Sequence, residues 1–384
     1  MNRFNFETTP RIICHRGACA ELGGLASGLG IRHVFVVTDE GLLKAGLATA
    51  VMDALQSASI KVTLYSDVQA DPPEVTILDA VESAKSAGAD GVIGIGGGSS
   101  LDTAKLVALL VKTPQEMSGI YGVGLAKGPR LPLIQIPTTA GTGSEVTPIS
   151  VVTTPTEEKK PVVSSLLLPD IALLDADLTL GLPPAVTAAT GIDALVHAIE
   201  SLSTHLKGNP LSEALALTAA KMICENLQEA VTNGKNPEGR EQMLLASLLA
   251  GMAFSNASVG AVHAFAYPLG IRFHVPHGLS NSLMLPHILR FNQEAGQATY
   301  AKLGRTIASD LADVSDKLAA NTFIETVCSL VQRMPYAQKL RDVGVTQKDI
   351  PVLAQDVMKI QRLLDHNPRP ITIEDATALY QQAL

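Results

Sequence analysis

The sequence predicts two domains of different fold class: an α/β domain over residues 1–180 and an all-helical domain over residues 181–384. Short apolar runs alternate with amphipathic helical stretches in the first half of the chain. This alternation is typical of a parallel sheet that helices cover on both faces. Strand signals nearly cease after residue 180, where a proline pair at 183–184 precedes a long series of helical segments. A chain of 384 residues is also long enough for two domains.

The elements of the first half follow in a regular order. Strands are expected at HVFVVTD (33–39), IKVTLYS, GADGVIGIG, LPLIQIPTT and DIALLDADL. Helices are expected between them at GLATAVMDALQSA, EVTILDAVESAKSAG and LDTAKLVALLV, and VTPISVVTT is expected to pair with KKPVVSS as a hairpin. In the second half, helices are expected at AVTAATGIDALVHAIESL, LSEALALTAAKMICENLQEAV, GREQMLLASLLAGMAFSNAS and ATYAKLGRTIASDLADV.

The composition is that of an ordinary globular protein and argues against several classes of partner. Hydrophobic residues make up 46% of the chain and charged residues 17%, which allows a large core in each domain. The net charge of −8 is spread without a basic stripe, so neither nucleic acid nor an anionic membrane is an expected partner. No apolar run approaches the roughly 18 residues of a membrane span. The four cysteines form no CxxC pair, and we expect a cytoplasmic protein.

A glycine-rich run, Gly94–Ser100, lies between a predicted strand and a predicted helix. Glycines let the backbone approach an anion closely, and the helix N-terminus offers free N–H groups and the positive end of its dipole. A dinucleotide pyrophosphate would fit there, although a tight turn that needs positive φ gives the same pattern. Three consecutive glycines exceed what one turn requires, and this favours phosphate binding.

Two further features point to a nucleotide. Asp39 ends the strand HVFVVTD, where an acid can accept hydrogen bonds from a ribose diol and repel a 2′-phosphate, which favours NAD over NADP. An Asp that simply begins the next helix is the alternative. The loop PTTAGTGSE after a buried strand is dense in hydroxyls and small residues. Such a loop can line a polar cofactor, or it can be an ordinary Ser/Thr turn.

Four residues of the second half have the spacing of a metal site. Asp193 and His197 are four apart in a predicted helix, which places both side chains on one face. His263 and His277 follow in a segment rich in Gly and Pro. Three imidazoles and one carboxylate suit iron(II) or zinc, and such a cation would polarise an oxygen of a substrate. A lone His on an apolar helix is more often a core or surface residue, but the clustering weakens that interpretation.

Four blocks, GGGSSLDTAK, PTTAGTGSE, GIDALVHAIE and HAFAYPLG…PHGLSN, occur in this order along the chain. Together they resemble the iron-containing (group III) alcohol dehydrogenase family over about residues 5 to 380. The resemblance implies a dehydroquinate synthase-like fold, with an N-terminal dinucleotide-binding α/β domain and an all-α C-terminal domain. It also implies a metal-dependent hydride transfer between NAD(H) and a small alcohol or aldehyde.

Carried over by motif, the resemblance implies that Asp193, His197, His263 and His277 bind the catalytic divalent metal, usually iron(II), with zinc as the alternative. It implies that Asp39 binds the ribose of NAD. The residues implied at the pyrophosphate and along the rest of the cofactor are Gly97, Gly98, Ser99, Asp102, Lys105, Thr138, Thr139, Thr142, Thr147, Val151, Lys160, Leu178 and Leu182.

Two positions depart from the family pattern. The family often carries a second His four residues after the third ligand, near the nicotinamide, and this chain has Tyr267 there. A Tyr hydroxyl can hydrogen-bond but cannot act as an imidazole base near pH 7. Asp71 stands before a proline where many members carry Asn, which is expected to alter contacts near the cofactor. Phe254 is expected to line the substrate end of the site, unless it is a core aromatic of its helix.

Related chemistries share this fold. A hydroxyacid–oxoacid transhydrogenase, a polyol or hydroxyacid dehydrogenase and a dehydroquinate synthase-like lyase are the alternatives from the same fold. A non-catalytic nucleotide sensor would bind NAD without turnover, and the complete set of metal ligands argues against it. The family commonly forms dimers or larger assemblies, so a homodimer or larger homo-oligomer is expected.

Overall fold

The computed structural model describes residues 3–204 and 206–384 and divides the chain into two compact units. One unit comprises Glu7–Gly181 and contains all the strands of the described residues. The other comprises Leu182–Leu384 together with the N-terminal segment that ends at Phe6. The predicted division, 1–180 and 181–384, differs in assigning that N-terminal segment to the α/β domain.

The α/β unit alternates strands and helices as the sequence predicts. Its strands are β1 (Arg11–Cys14), β2 (His33–Val37), β3 (Lys61–Tyr65), β4 (Gly91–Gly96), β5 (Gly122–Val123), β6 (Leu133–Pro137), β7 (Ile149–Thr153), β8 (Lys159–Val163) and β9 (Ile171–Leu174). Its α-helices are α1 (Leu22–Gly28), α2 (Glu40–Lys44), α3 (Thr49–Ser57), α4 (Glu74–Ala87) and α5 (Gly98–Lys112).

Six of these strands form one parallel sheet in the order β1-β9-β6-β4-β2-β3. This confirms the parallel α/β sheet that the sequence predicts. A small second sheet has the order β5-β8-β7, and β7 pairs with β8 in the antiparallel sense, which confirms the predicted hairpin. Strand β1, which was not predicted from the sequence, lies at an edge of the large sheet and is half exposed.

Alternate residues of β2 show that helices cover both faces of the large sheet. Phe35 and Val37 belong to a buried cluster that also takes in side chains of α4 and α5. Val34 and Val36 point the other way, into a cluster with side chains of α1 and α3. Because successive strand residues face opposite sides, a strand covered on both faces is apolar throughout, and all five residues of β2 are buried.

The second unit is helical. Its α-helices are α6 (Pro184–Ser203), α7 (Pro210–Thr232), α8 (Pro237–Ala257), α9 (Ala261–Phe273), α10 (His277–Phe291), α11 (Gln297–Ile307), α12 (Asp316–Gln332), α13 (Ile350–Met358), α14 (Gln361–Leu364) and α15 (Ile373–Ala383). Helix α6 packs against α7, α8 and α10 at the centre of the unit. The single helix predicted over ATYAKLGRTIASDLADV is wrong in its second half, because α11 ends at Ile307 and a short 3-10 helix follows at Ser309–Leu311.

Among the described residues, no single helix is both long enough and apolar enough to cross a bilayer. Helices α8 and α9 reach the required length and hydropathy only when taken together, and the chain bends by 103° between them.

Candidate functional sites

Polar groups of the α/β unit gather where β2 and β4 end. The chain leaves β2 for β3 on one side of the sheet and leaves β4 for β6 on the other. The gap between these two strands is therefore a topological switch point, where open parallel sheets bind their ligands. A cavity of about 590 Å³ opens there, lined among others by Asp39, Ser66, Asp67, Gly97 and Ser99.

The glycine-rich run forms the turn from β4 into α5. Gly97 is the N-cap of α5, and Gly98 is its first residue. A Cβ on Gly96 would lie 2.7 Å from Ser100 Oγ, and one on Gly98 would lie 2.9 Å from Thr142 Cγ2. Both positions therefore need glycine for packing. The first turn of α5, whose backbone N–H groups have no partner within the helix, borders the cavity.

Asp39 lies at the same edge. Its Oδ1 accepts a hydrogen bond from the backbone N–H of Leu42 at 3.0 Å and so caps α2. Its Oδ2 accepts from Ser100 Oγ at 3.5 Å. The structure thus brings the predicted ribose acid and the predicted phosphate loop to one cavity, and Asp39 also begins the next helix, as the alternative interpretation proposed.

Asp71 joins the glycine-rich run to the β7–β8 hairpin. Its backbone has a φ of 52°, a left-handed conformation that Asp and Asn tolerate better than most residues. Its N–H donates to Ser99 Oγ at 3.2 Å, and its carbonyl accepts from Thr153 Oγ1 at 2.8 Å. Its carboxylate forms an ion pair with Lys159 at 2.7 Å. The carboxylate of Asp71 therefore lies beside the ammonium group of Lys159.

Asp102 and Lys105 form a buried polar network beneath the loop PTTAGTGSE, residues 137–145. Lys105 Nζ donates to Ser144 Oγ at 2.8 Å, to Thr147 Oγ1 at 3.2 Å and to the carbonyl of Ile149 at 2.7 Å. Asp102 accepts from Ser144 Oγ at 2.6 Å and from the N–H of Val151 at 2.9 Å. Burial raises the pKa of Asp102 and lowers the pKa of Lys105 to about 8. The network ties α5 to the loop and to β7.

Glu145 lies beside this network and is also buried. Burial raises the pKa of its carboxyl group to about 7. Its Oε1 has no hydrogen-bond partner among the described residues, while its carbonyl accepts from Thr9 Oγ1 at 2.9 Å. Two buried acids, Asp102 of α5 and Glu145 of the loop, thus lie close to the Lys105 ammonium group.

The remaining predicted cofactor residues lie in several places. The N–H of Thr138 donates to the carbonyl of Gly96 at 2.9 Å, and Thr139 lies beside Gly97. Lys160 forms an exposed ion pair with Glu158. Leu178 is buried in a 3-10 helix of the same unit, Ala176–Thr179, whereas Leu182 begins the long segment of the helical unit, Leu182–Leu384.

In the helical unit, three of the four predicted metal ligands lie together. Asp193 comes from α6, His263 from α9 and His277 from the first turn of α10. Asp193 Oδ1 lies 3.7 Å from His263 Nε2 and 3.5 Å from His277 Nε2. One ligand atom from each of the three lies within 4.8 Å of the others. Residues remote in sequence thus converge as a candidate cation site.

His197, the fourth predicted ligand, lies beside this cluster. Its ring stacks on the ring of His263, with centroids 4.8 Å apart, and on Phe254 at 4.2 Å. It is not among the three residues whose ligand atoms are mutually within 4.8 Å. Phe254 therefore borders the cluster and is not only a core aromatic of its helix. The centroid of the Tyr267 ring lies 6.1 Å from that of the His277 ring.

The polar atoms of the cluster fit a bound cation. His263 Nε2 is buried and has no hydrogen-bond partner among the described residues, although buried ring nitrogens normally have one. It faces the Asp193 carboxylate at a distance too long for a hydrogen bond. Imidazole nitrogens with a carboxylate oxygen are the donor set that iron(II) and zinc accept. A cation between them would satisfy the unpaired nitrogen.

The start of α10 needs close packing to bring His277 to this cluster. Gly278 follows it, and a Cβ there would lie 2.4 Å from the carbonyl oxygen of Ala189 in α6. Just before, His274 ends α9 in a left-handed conformation with a φ of 53°. Arg272 pairs with Asp356 at 2.5 Å.

Two residues that hold the cluster were not predicted from the sequence. Asn281 Nδ2 donates to Asp193 Oδ1 at 2.6 Å. The Glu200 carboxylate, which is 5% exposed, lies 2.7 Å from His263 Nδ1. A signal for Glu200 was present in the sequence, because it lies seven residues after Asp193 on the same face of a helix that is otherwise buried and apolar.

Known protein families match both the α/β part and the helical part of the chain. The family described as iron-containing alcohol dehydrogenase matches residues 9–176, and the C-terminal domain of the Fe-containing alcohol dehydrogenase family matches residues 187–384. A probable alcohol dehydrogenase, EutG of Escherichia coli, is 38% identical over 379 residues, which cover 98% of this chain and 94% of that protein.

Solved structures show the same similarity. A 1,3-propanediol oxidoreductase is 33% identical with a TM-score of 0.96, covering 100% of both chains. A sulfoacetaldehyde reductase from Bifidobacterium kashiwanohense, solved in complex with NAD⁺, is 28% identical with a TM-score of 0.90, covering 100% of this chain and 99% of that one.

These matches define an α/β plus all-α oxidoreductase of the metal-dependent type. The chain belongs to the iron-containing alcohol dehydrogenase family, whose members act on alcohols and aldehydes. The family and the fold class expected from the four sequence blocks are thereby confirmed.

Proposed function

We propose that the protein transfers a hydride between NAD(H) and a small alcohol or aldehyde, with iron(II) as the expected metal and zinc as the alternative. Asp193, His197, His263 and His277 are the proposed ligands. The observation that carries the proposal is the buried, unpaired Nε2 of His263 facing Asp193. When bound, a divalent cation would polarise the oxygen of the alcohol or aldehyde.

The α/β unit supports NAD as the second component. The cavity at the switch point is lined by Asp39 and by the glycine turn that begins α5. An anion such as a pyrophosphate would meet free N–H groups at that helix start, and Asp39 would accept from a ribose diol and repel a 2′-phosphate. The relative from Bifidobacterium kashiwanohense binds NAD⁺.

The roles of the nearby side chains follow from their positions. Asp193, His277 and His197 would supply the oxygen and the two nitrogens that complete the ligand set around His263. The flat ring of Phe254, stacked on His197, would give the substrate an apolar neighbour. The Tyr267 hydroxyl is proposed to take part in the hydrogen-bonded path by which the alcohol proton leaves, in place of the imidazole common in the family.

The test is an anaerobic assay of NADH oxidation against short aldehydes and oxo acids. Protein stripped of metal is compared with protein reloaded with iron(II) or with zinc. We expect turnover of an aldehyde only after reloading, and loss of both metal and turnover in His263→Ala. His15→Ala, which changes an exposed histidine of the other unit, is the matched control. Equal turnover by the stripped enzyme, or NADH binding without turnover for every metal, would overturn the proposal.

We further propose a cytoplasmic protein that forms a homodimer or larger homo-oligomer. No disulfide joins any of the four cysteines, Cys14, Cys19, Cys224 and Cys328, which supports a reducing compartment. The oligomer rests on the resemblance to the family. Light scattering coupled to size-exclusion chromatography measures its mass, and a monomeric mass would refute this part of the proposal.

A further inference from the structure

We propose that Glu200 is a positioning residue for the metal ligand His263, and that it fixes which nitrogen of that ring faces the cation. The inference rests on the metal site of the proposed function. Glu200 is not one of the ligands named by the sequence blocks, and its own carboxylate lies on the far side of the His263 ring from Asp193, bonded to Nδ1 rather than Nε2.

Both oxygens of the buried Glu200 carboxylate take part in hydrogen bonds. Its Oε2 lies 2.7 Å from His263 Nδ1 and accepts from the N–H of Gly260 at 2.8 Å. Its Oε1 accepts from the N–H of Val262 at 2.6 Å. These two N–H groups belong to the start of α9, where the helix itself offers them no partner. Glu200 therefore holds the beginning of α9 and the ring of His263, in the same first turn, with a single side chain.

These contacts determine the tautomer of His263. An ionised carboxylate can only accept hydrogen bonds, so the short contact requires the proton to be on Nδ1. Nε2 then carries the lone pair, and this is the nitrogen that has no partner among the described residues and lies 3.7 Å from Asp193. The ring is thus prepared for a cation before one binds.

The carboxylate and the ring are both shielded from solvent. Glu200 is 5% exposed and His263 is 2% exposed. A Cβ on Gly260 would lie 3.3 Å from Glu200 Oε1, so glycine at the start of α9 leaves space for the carboxylate. Loss of the acid would leave the ring and two backbone donors without an acceptor.

Glutamine is the informative substitution because it keeps the shape of the side chain. Three donors converge on the two carboxylate oxygens, and an amide can present only one oxygen to them. With the NH₂ group toward His263, Nδ1 must accept, and the proton moves to Nε2, where it opposes a cation. With the oxygen toward His263, the NH₂ group meets the N–H of Val262. We expect Glu200→Gln to lower zinc(II) affinity by about 10- to 100-fold.

The control is Tyr380→Phe. The Tyr380 hydroxyl donates to the carbonyl of Phe265 in α9 at 2.8 Å and is buried. Its loss removes one buried hydrogen bond from the same helix without touching His263. Zinc(II) affinity is measured for the stripped full-length protein by competition with a chromogenic chelator, and thermal unfolding of the metal-free protein is recorded for each variant. Tyr380→Phe should lower the unfolding temperature and keep the zinc affinity.

The outcomes separate this inference from the metal site itself. If the wild type and His263→Ala bind zinc(II) equally, the proposed metal site fails. If the wild type binds and Glu200→Gln binds as tightly, the metal site stands and the role of Glu200 is refuted. Nitrogen NMR of the metal-free wild type, labelled at histidine and assigned with His263→Ala, gives a readout without any variant of Glu200. A proton on Nε2 of His263 would refute the inference even if Glu200→Gln did not fold.

Discussion

The buried carboxyl group of Glu145 makes the stability of the protein depend on pH in a specific direction. Glu145 is 1% exposed, and its Oε1 has no hydrogen-bond partner among the described residues. Burial raises its pKa from 4.5 to about 7, even though Lys105 nearby acts in the opposite direction. Glutamine at this position would keep the size of the side chain and could not ionise.

The sign and size of the effect follow from the raised pKa. Between pH 4.5 and 7 the folded protein binds more protons at Glu145 than the unfolded chain does. The contribution of this group is therefore fully present at low pH and is lost as the pH rises through the folded pKa. Between pH 5 and pH 7 the wild type should lose about 2 kcal/mol relative to Glu145→Gln. Lys105 remains protonated over this range, since its pKa is about 8.

The assay is urea unfolding of the metal-free protein at pH 5 and pH 7, followed by far-UV circular dichroism because the chain has no Trp. The measured quantity is the difference in unfolding free energy between Glu145→Gln and the wild type. Glu158→Gln is the control, since Glu158 is exposed and its pKa is lowered by Lys160. A difference for Glu145→Gln that is the same at both pH values would refute the reasoning.

Two further predictions concern close packing at glycines. Gly98→Ala should destabilise the start of α5 by about 1–3 kcal/mol and weaken NADH binding, because its Cβ meets Thr142 Cγ2 at 2.9 Å. Adding Thr142→Ser, which removes that methyl group, should recover most of the loss in fluorescence titrations with NADH, and no recovery would contradict the packing argument. Gly278→Ala should cost about 1–3 kcal/mol and reduce zinc retention, because its Cβ meets the Ala189 carbonyl and displaces His277. Zinc content equal to that of the wild type after dialysis would show that α10 can shift without moving the ligand.

The large sheet could be predicted from the sequence because its central strands are apolar on both faces. All five residues of β2 and all six of β4 are buried, so their signal is continuous. β1 lies at the edge with two exposed residues, and its four residues carry too weak a pattern to be recognised. The broken end of α11 was also missed, since the segment that follows has the composition of a helix.

The ligands of the metal cluster could be proposed from spacing and motif, but the contacts that the surrounding groups make with them could not. Asp193 and His197 share a helix face by their separation alone. Glu200 meets His263 across 63 positions and Asn281 meets Asp193 across 88, and no local pattern encodes such contacts. In the same way, Lys105 belongs to a phosphate-loop motif in sequence, yet its ammonium group is held by the loop at Ser144 and Thr147.

The Asp39 side chain has two roles, and this restricts how coenzyme preference could change. Its Oδ1 caps α2, while in the proposed function the same carboxylate excludes a 2′-phosphate. A change to Ala would remove the repulsion and also the cap, at a cost of about 1 kcal/mol. Ser and Asn keep an oxygen for the cap while removing the charge. An evolutionary or engineered route from NAD to NADP through this position would therefore pass most easily through those two residues.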